Sequence, residues 1–372
     1  MVECSCTLLW LAGIALALIV AIWAHLAFWN RRLDDSEQLP YDEFHRLELA
    51  DGAPCELRRL KAQGDVKLPP ILMIHGIAFN HRNVDANAER SLPRWLRSRG
   101  RDVWLLTLRS GLPECARDNR VTFESMVRQD LPVAVAEVLK RTGAAELDCL
   151  GFSMGGMLLY AWLGTATERT PVRRVVIMGS PGLVRSPLRW LDLFRFIPIK
   201  WVPGVRIRRL AQLVAFVADH TKTPFHHLPY NPDNVRDSRV AGMLVCGVQD
   251  IAPRLHQDFA RWAWGSQQIT VGQFDVLDGL KDIGLDALFV AGGADRLAST
   301  RAVRAGYEAW DRQSPKAERK FWLELSLAAG ASADYGHGDL ILGDRAIDEV
   351  YKPVERFLDT GNIASQDHAL VD

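Results

Sequence analysis

Neither sign of charge dominates this chain: lysine plus arginine and aspartate plus glutamate stand at 45 each in 372 residues, leaving a formal net charge of zero. Without a cationic surplus no global field draws nucleic acid, and that class of partner is excluded. Cysteine is scarce and unpatterned. The six residues, Cys4, Cys6, Cys55, Cys115, Cys149 and Cys246, form no C-x-x-C pair, which removes a disulfide framework and the common zinc spacings. The histidines of HTKTPFHHLP (His220, His226 and His227) match no standard zinc site either, and no metal or cofactor is expected. Internal repeats and long low-complexity segments are missing, so solenoid and fibrous architectures are excluded.

One absence is local. Between Thr7 and Trp29 the sequence TLLWLAGIALALIVAIWAHLAFW contains no Asp, Glu, Lys or Arg. As a helix it reaches across a hydrocarbon core of about 30 Å. Trp10 near one end and Trp23 and Trp29 toward the other suit interfacial belts, and Arg31 and Arg32 follow while no Lys or Arg precedes. This reads as an uncleaved single-pass anchor, because a signal peptide carries basic residues first, a shorter apolar run and a small-residue cleavage site. Arginines on the carboxyl side place the remainder in the cytoplasm.

Beyond NRRLDDSEQLP, short apolar runs alternate with longer helical patterns, the rhythm of a mostly parallel sheet covered by helices. Strands are read at PILMIH, DVWLLTL, ELDCLG, RRVVIMGS, DALFVAGG and RKFWLEL, with RLELA and CELRRL as an antiparallel pair ahead of them. Helices are read at 91–99, 124–141, 154–164, 299–312 and 344–358. The rhythm breaks from 186 to 280, where Trp190, Trp201, Trp262, Trp264 and several prolines occur without a clear strand. The division that follows is an anchor (1–30), an α/β core in two parts (31–185 and 281–360), a helical cap insertion (186–280) and a loose tail (361–372).

The stretch LDCLGFSMGGMLLYAW places a serine, Ser153, between two apolar runs. In G-x-S-x-G a tight strand-to-helix turn lifts the hydroxyl clear of its neighbours; a serine here also suits a helix cap. Functional groups of such sheets gather at the carboxyl ends of strands. PILMIH ends in His75-Gly76-Ile77, DALFVAGG in Ala294-Asp295, and the loop after RKFWLEL reaches DYGHGDLILG with His337. A hydroxyl is a weak nucleophile, so it requires a base, and the base an acid to orient it. His337 and Asp295 fit these roles. Asp295 also suits capping of the helix RLASTRAVRAGYEAW, with Asp250 or Asp339 then as the acid.

The order Ser, acid, His is that of the α/β hydrolases, and the chain resembles that superfamily over most of residues 45–360 outside the insertion. HGIAFNHRNVD, SLPRWLRSRGRDVWLLTLRSG and VRQDLPVAVAEVLKRTGAAELDCLGFSMGG are most similar to acid lipases and polyhydroxyalkanoate synthases, and HGDLILG to the acid-lipase pattern around its histidine. The resemblance implies an α/β-hydrolase fold and a serine hydrolase acting on carboxylic esters of apolar, lipid-like substrates. It assigns Ser153 as nucleophile, with the N–H groups of Ile77 and Met154 as the oxyanion hole. The synthase nucleophile is cysteine where this chain has Ser153, and secreted acid lipases keep no N-terminal span. Acyl transfer by the same residues, or a catalytically silent scaffold held at the membrane, are the alternatives; the oligomeric state is not legible.

RSPLRWLDLFRFIPIKWVPGVRIRRLAQLV opens the insertion with Arg185, Arg189, Arg195, Lys200, Arg206, Arg208 and Arg209 against a single acid, Asp192. Its aromatic and aliphatic residues fill the gaps. The segment reads either as a cap packed on the core or as a basic amphipathic lid lying on an anionic membrane surface.

Overall fold

A computed structural model describes residues 2–34, 38–64, 68–221, 227–236, 240–313 and 319–363. His226 and residues 364–372 lie outside the described residues, as do the side chains of residues 2–9, Cys4 and Cys6 among them, and of Arg189. The chain begins with α1 (Val2–Leu33), then β1 (Glu43–Glu48), β2 (Pro54–Leu60), β3 (Ile71–Ile74), α2 (Leu92–Ser98) and β4 (Val103–Thr107). Next come α3 (Phe123–Ser125), a π-helical turn (Met126–Asp130), α4 (Leu131–Thr142), β5 (Leu147–Phe152), α5 (Met154–Thr165) and β6 (Val172–Met178).

Between β6 and the next long strand lie α6 (Arg208–Ala218), α7 (Ala241–Cys246), α8 (Pro253–Trp264), a two-residue ladder of β7 (Thr270–Val271) and β8 (Phe274–Asp275), and α9 (Val276–Gly279). The chain closes with β9 (Asp286–Gly292), α10 (Thr300–Ala309), β10 (Lys320–Leu325), α11 (Asp339–Leu342) and α12 (Lys352–Thr360). The β7–β8 ladder corrects the strand-free reading of 186–280. Two residues per strand, joined by a two-residue turn with Gly272 at φ 60°, are too few to register as alternation. The last helical stretch also starts later than 344, as a π-helical turn over Ile347–Tyr351 that runs into α12.

The long strands form one sheet in the order β1-β2-β4-β3-β5-β6-β9-β10, antiparallel through β1, β2 and β4 and parallel from there on. This is the α/β-hydrolase architecture that the resemblance implied. Helices cover both faces, so β3 and β5 are buried along their whole length and read as unbroken apolar runs. Within β3, Leu72 and Ile74 enter the core on one face while Ile71 and Met73 enter that on the other. The chain passes from β3 to β4 on one side and returns to β5 on the other, placing the topological switch between β3 and β5. Ligand crevices of open α/β sheets form at such a point.

α1 contains a stretch, Trp10–Leu33, of 24 residues and mean hydropathy 2.3 with none of it buried, long and apolar enough to cross a membrane. Its carboxyl-terminal half touches α6, where His25 and Trp29 meet the Phe216 ring at centroid distances of 5.4 and 6.3 Å.

Two buried charge clusters brace the sheet. Asp148 of β5 accepts from Arg101 at 2.8 Å and Arg173 at 2.7 Å. Just past β4, Arg109 Nε donates to Asp130 at 2.8 Å, with both side chains fully buried. Burial outweighs this pairing and pushes the Asp130 carboxyl up to about 6. Removing one partner strands the other charge, so Arg109→Met is expected to cost about 3–5 kcal/mol at pH 8. In the wild type the cost of ionising this carboxyl accrues between about pH 4 and about 6 and is complete above that; Arg109 holds the folded pKa down, so its loss raises that pKa further and adds a cost that builds only above about pH 6. The mutant's deficit in urea denaturation should therefore be smaller at pH 5 than at pH 8; an equal deficit at both would show that Asp130 is not the group left exposed to the change.

Candidate active site

β5 delivers the chain to a turn that only small residues allow. A Cβ on Gly151 would lie 2.4 Å from the Gly156 nitrogen, and one on Gly155 would lie 2.3 Å from the Ile74 carbonyl oxygen. The start of α5 is thereby pressed against the ends of β3 and β5. Ser153 takes the strain, with φ 54° and ψ −119°, a backbone region that residues with a side chain seldom occupy. Its N–H donates to the Met178 carbonyl at 2.8 Å, which holds the turn. The serine side chain makes no capping hydrogen bond to α5, so the cap reading of Ser153 is overturned. Met154 begins α5, and its N–H, like others in a first helical turn, has no carbonyl partner within the helix.

The same close packing brings the loop after β3 to the serine. A Cβ on Gly76 would lie 2.9 Å from the Ser153 Cβ. The Gly76 N–H donates to Asn83 Oδ1 at 2.8 Å, which folds the following loop back on itself. His75 Nε2 accepts from the Leu108 N–H at 3.0 Å, so its Nδ1 carries the proton and donates to the Gly76 carbonyl at 2.8 Å. Burial lowers the His75 pKa to about 4 and keeps the ring neutral. Ile77, next in the chain, is half-buried and lines a cavity with Ser153 and His337.

Asp295 and His337 come from loops after β9 and β10, 42 residues apart, and meet at 2.7 Å between Oδ2 and Nδ1. The other carboxylate oxygen accepts the N–H groups of Leu297 and Ala298, each at 2.8 Å. Asp295 therefore turns its own loop and contacts the histidine at once. Capping of α10 falls to Ser299, whose side chain accepts from the Ala302 N–H. The other two acids are engaged elsewhere: Asp250 accepts from the Arg208 N–H at 2.9 Å, and Asp339 accepts from the Asn231 N–H at 2.9 Å and the Asn234 amide at 3.0 Å. His337 lies against Phe152 with ring centroids 4.9 Å apart. With Nδ1 donating to Asp295, Nε2 is left as the basic nitrogen.

The cavity is lined mainly by apolar groups, including Phe79, Phe152, Tyr230, Met243, Leu297 and Leu342, around Ser153, His337 and Asn83. Asn83 and the brace of Asp339 with Asn231 and Asn234 escape sequence reasoning, because Asn83 works through a loop that folds back and the others join segments 105 or more residues apart. The local signal available was the polar density of HGIAFNHRNVD itself.

A serine on a strained strand-to-helix turn beside an Asp–His pair, at the switch point of such a sheet, defines an α/β-hydrolase scaffold. The sequence profile of the alpha/beta hydrolase fold matches residues 69–317, and the chain belongs to that family. A probable lipase from Schizosaccharomyces pombe is 29% identical over 161 residues, 38% of this chain and 35% of that protein. The match thus spans about a third of the relative's length. Among solved structures, an esterase from Exiguobacterium antarcticum superposes with a TM-score of 0.55 at 14% identity, covering 85% of this chain and 99% of that one. A thermostable carboxyl esterase from Bacillus coagulans gives 0.56 at 15%, covering 86% and 99%. At these identities the likeness is one of fold.

The turn itself is testable. Gly155→Ala forces its methyl into the Ile74 carbonyl, where backbone and not a flexible side chain must give way. A loss of roughly 3 kcal/mol or more is expected in chemical denaturation. Wild-type stability would show that α5 can shift away from β3.

Proposed function

We propose that the chain is a membrane-anchored serine hydrolase that cleaves carboxylic esters of apolar, lipid-like substrates through an acyl-enzyme. The observation that carries this reading is the 2.7 Å contact of Asp295 with His337, beside a cavity that also contains the strained Ser153. The partial likeness to a probable lipase and the apolar lining support an ester with a hydrocarbon arm.

In this reading the Ser153 hydroxyl attacks the ester carbonyl as His337 Nε2 takes its proton. Asp295 keeps the imidazole in the tautomer that can accept and balances the charge it acquires. The Ile77 and Met154 N–H groups receive the oxyanion, and preorganised donors of this kind are each worth roughly 10²–10³ in rate. His337 then gives its proton to the leaving alcohol. Water resolves the acyl-enzyme by the same steps in reverse.

The division of labour along the chain follows: an anchor in 1–30, the hydrolase core in 31–185 and 281–360, a cap in 186–280 and a tail in 361–372. The Arg31 and Arg32 pair after the span supports a cytoplasmic core. A reporter fused to the carboxyl terminus should then be active only if it works in the cytoplasm, and cleavage of the core by protease added to intact cells would reverse the orientation.

Ser153→Ala and His337→Ala should each lower ester turnover by roughly four to six orders of magnitude, and the double mutant should be scarcely worse, because the residues act as a unit. Asp295→Asn should cost roughly 10³–10⁴. Fluorophosphonate labelling that vanishes in Ser153→Ala is the direct check; turnover surviving in that variant would end the mechanism, and an unlabelled wild-type chain would favour a silent scaffold.

A further inference from the structure

The cap carries an apolar surface that the core does not use. In the turns at Arg189–Phe194 and Ile199–Trp201 and the chain between them, Leu193 is 75%, Phe196 81% and Trp201 69% exposed. On α6, Leu210, Leu213, Val214 and Val217 are also exposed, at the i, i+3, i+4, i+7 spacing of one helix face, while Ala215 and Ala218 face inward. An amphipathic helix ordinarily turns such a face to the core. Here it is open.

From residue 193 to the end of α6 at Ala218 every charged residue is basic. Arg195, Lys200, Arg206 and Arg209 are exposed, and none has a carboxylate within ion-pair distance among the described residues. The acids that flank this stretch are engaged: Asp192 is hydrogen-bonded by Ser186, and Asp219 accepts the Val240 and Ala241 N–H groups at 2.7 and 3.2 Å. Arg208 and Arg209 sit in the first turn of α6, where the helix dipole disfavours cations. Arg208 is half-buried, whereas Arg209 is exposed, and an exposed cation placed there suits an anionic surface outside the fold.

Continuity identifies that surface. α6 is the element on which α1 docks, through His25 and Trp29 against Phe216, and α1 ends in Arg31 and Arg32. The open face of the cap therefore adjoins the segment long and apolar enough to cross a bilayer. From there the path to the cavity is short. α7 packs on α6 and contributes Met243 to the cavity wall. Directly after α7 the chain is stitched to the loop beyond Ile77: the Asn80 N–H donates to the Gly247 carbonyl at 3.0 Å and the Gln249 N–H to the Ala78 carbonyl at 2.8 Å.

We propose that the face formed by residues 193–201 and the Leu210–Val217 stripe of α6 rests on a lipid bilayer bearing anionic head groups, which its arginines and lysine pair with. Long-chain esters then reach Ser153 from the bilayer along α6 and α7. This last step rests on the ester-hydrolase reading; the docking of the face does not.

The test uses the full chain in nanodiscs of phosphatidylcholine with and without phosphatidylglycerol. An environment-sensitive dye is attached at Phe196→Cys, with Glu308→Cys on α10 as a control and the unmodified chain labelled in parallel for background. Acrylamide quenching of the dye at 196 should fall roughly tenfold when phosphatidylglycerol is present, and the double reversal R206E/R209E should abolish the change. The control position should not respond. The same reversal should lower turnover of a long-chain ester roughly tenfold in anionic discs while leaving a short, water-soluble ester unaffected. A dye at 196 that stays open to quencher in both lipids overturns the proposal, and so does shielding indifferent to lipid charge and to the reversal. Shielding in detergent that rises with protein concentration assigns the face to a second copy of the chain and also overturns it. A chain that turns over no ester at all removes the reading of the site, while the quenching still decides the surface.

Discussion

The arrangement of the candidate site depends on one steric constraint: the first turn of α5 lies directly on the end of β3, with room between Gly155 and the Ile74 carbonyl for hydrogen alone. Because the helix cannot stand further off, the chain must reverse within a single residue after β5, and Ser153 carries the strained backbone angles that result. The same contact brings Gly76 against the serine side chain. Strain at a functional turn persists only where its surroundings over-determine it. Here the surroundings are two fully buried strands and the Met178 carbonyl that holds the Ser153 N–H.

Around that turn, buried polar groups do the positioning. The loop after β3 is shaped by a neutral His75 and by Asn83, each satisfying a backbone group that burial would otherwise leave unpaired. The loop carrying His337 is tied to the segment between β6 and β9 through Asp339, Asn231 and Asn234, and the Gly338 N–H donates to the Pro229 carbonyl at 2.6 Å. Asp339 is fully buried, and that burial pushes its carboxyl up to about 6. The segment between β6 and β9 thus shares hydrogen bonds with Ala78 and Asn80 in the loop after β3 and with the His337 loop, and a displacement of α7 or of residues 229–234 would be felt at the cavity.

Much of the fold was legible in the sequence because parallel strands buried on both faces must be continuously apolar, and the helices between them must alternate. PILMIH, ELDCLG and DALFVAGG each became a strand of the central sheet. G-x-S-x-G was readable because a close backbone approach demands glycine whatever lies around it. The β7–β8 ladder was not, since two-residue strands carry no period. Nor was the open face of α6 distinguishable from a core-facing one, for the same i, i+3, i+4 pattern serves both.

What the sequence determined by itself is therefore local: the apolar α1, the strand-helix rhythm, the glycines of the elbow and the chemical types waiting at the strand ends. Tertiary structure alone decided which of those groups meet. Asp250, Asp295 and Asp339 are alike as residues, and only the parallel placement of β9 beside β10 sets Asp295 on His337 while the other two carboxylates are taken by backbone and amide donors from the chain between β6 and β9. Partner choice among distant groups is set by sheet order and loop closure, and neither has a signature in the spacing of residues along the chain.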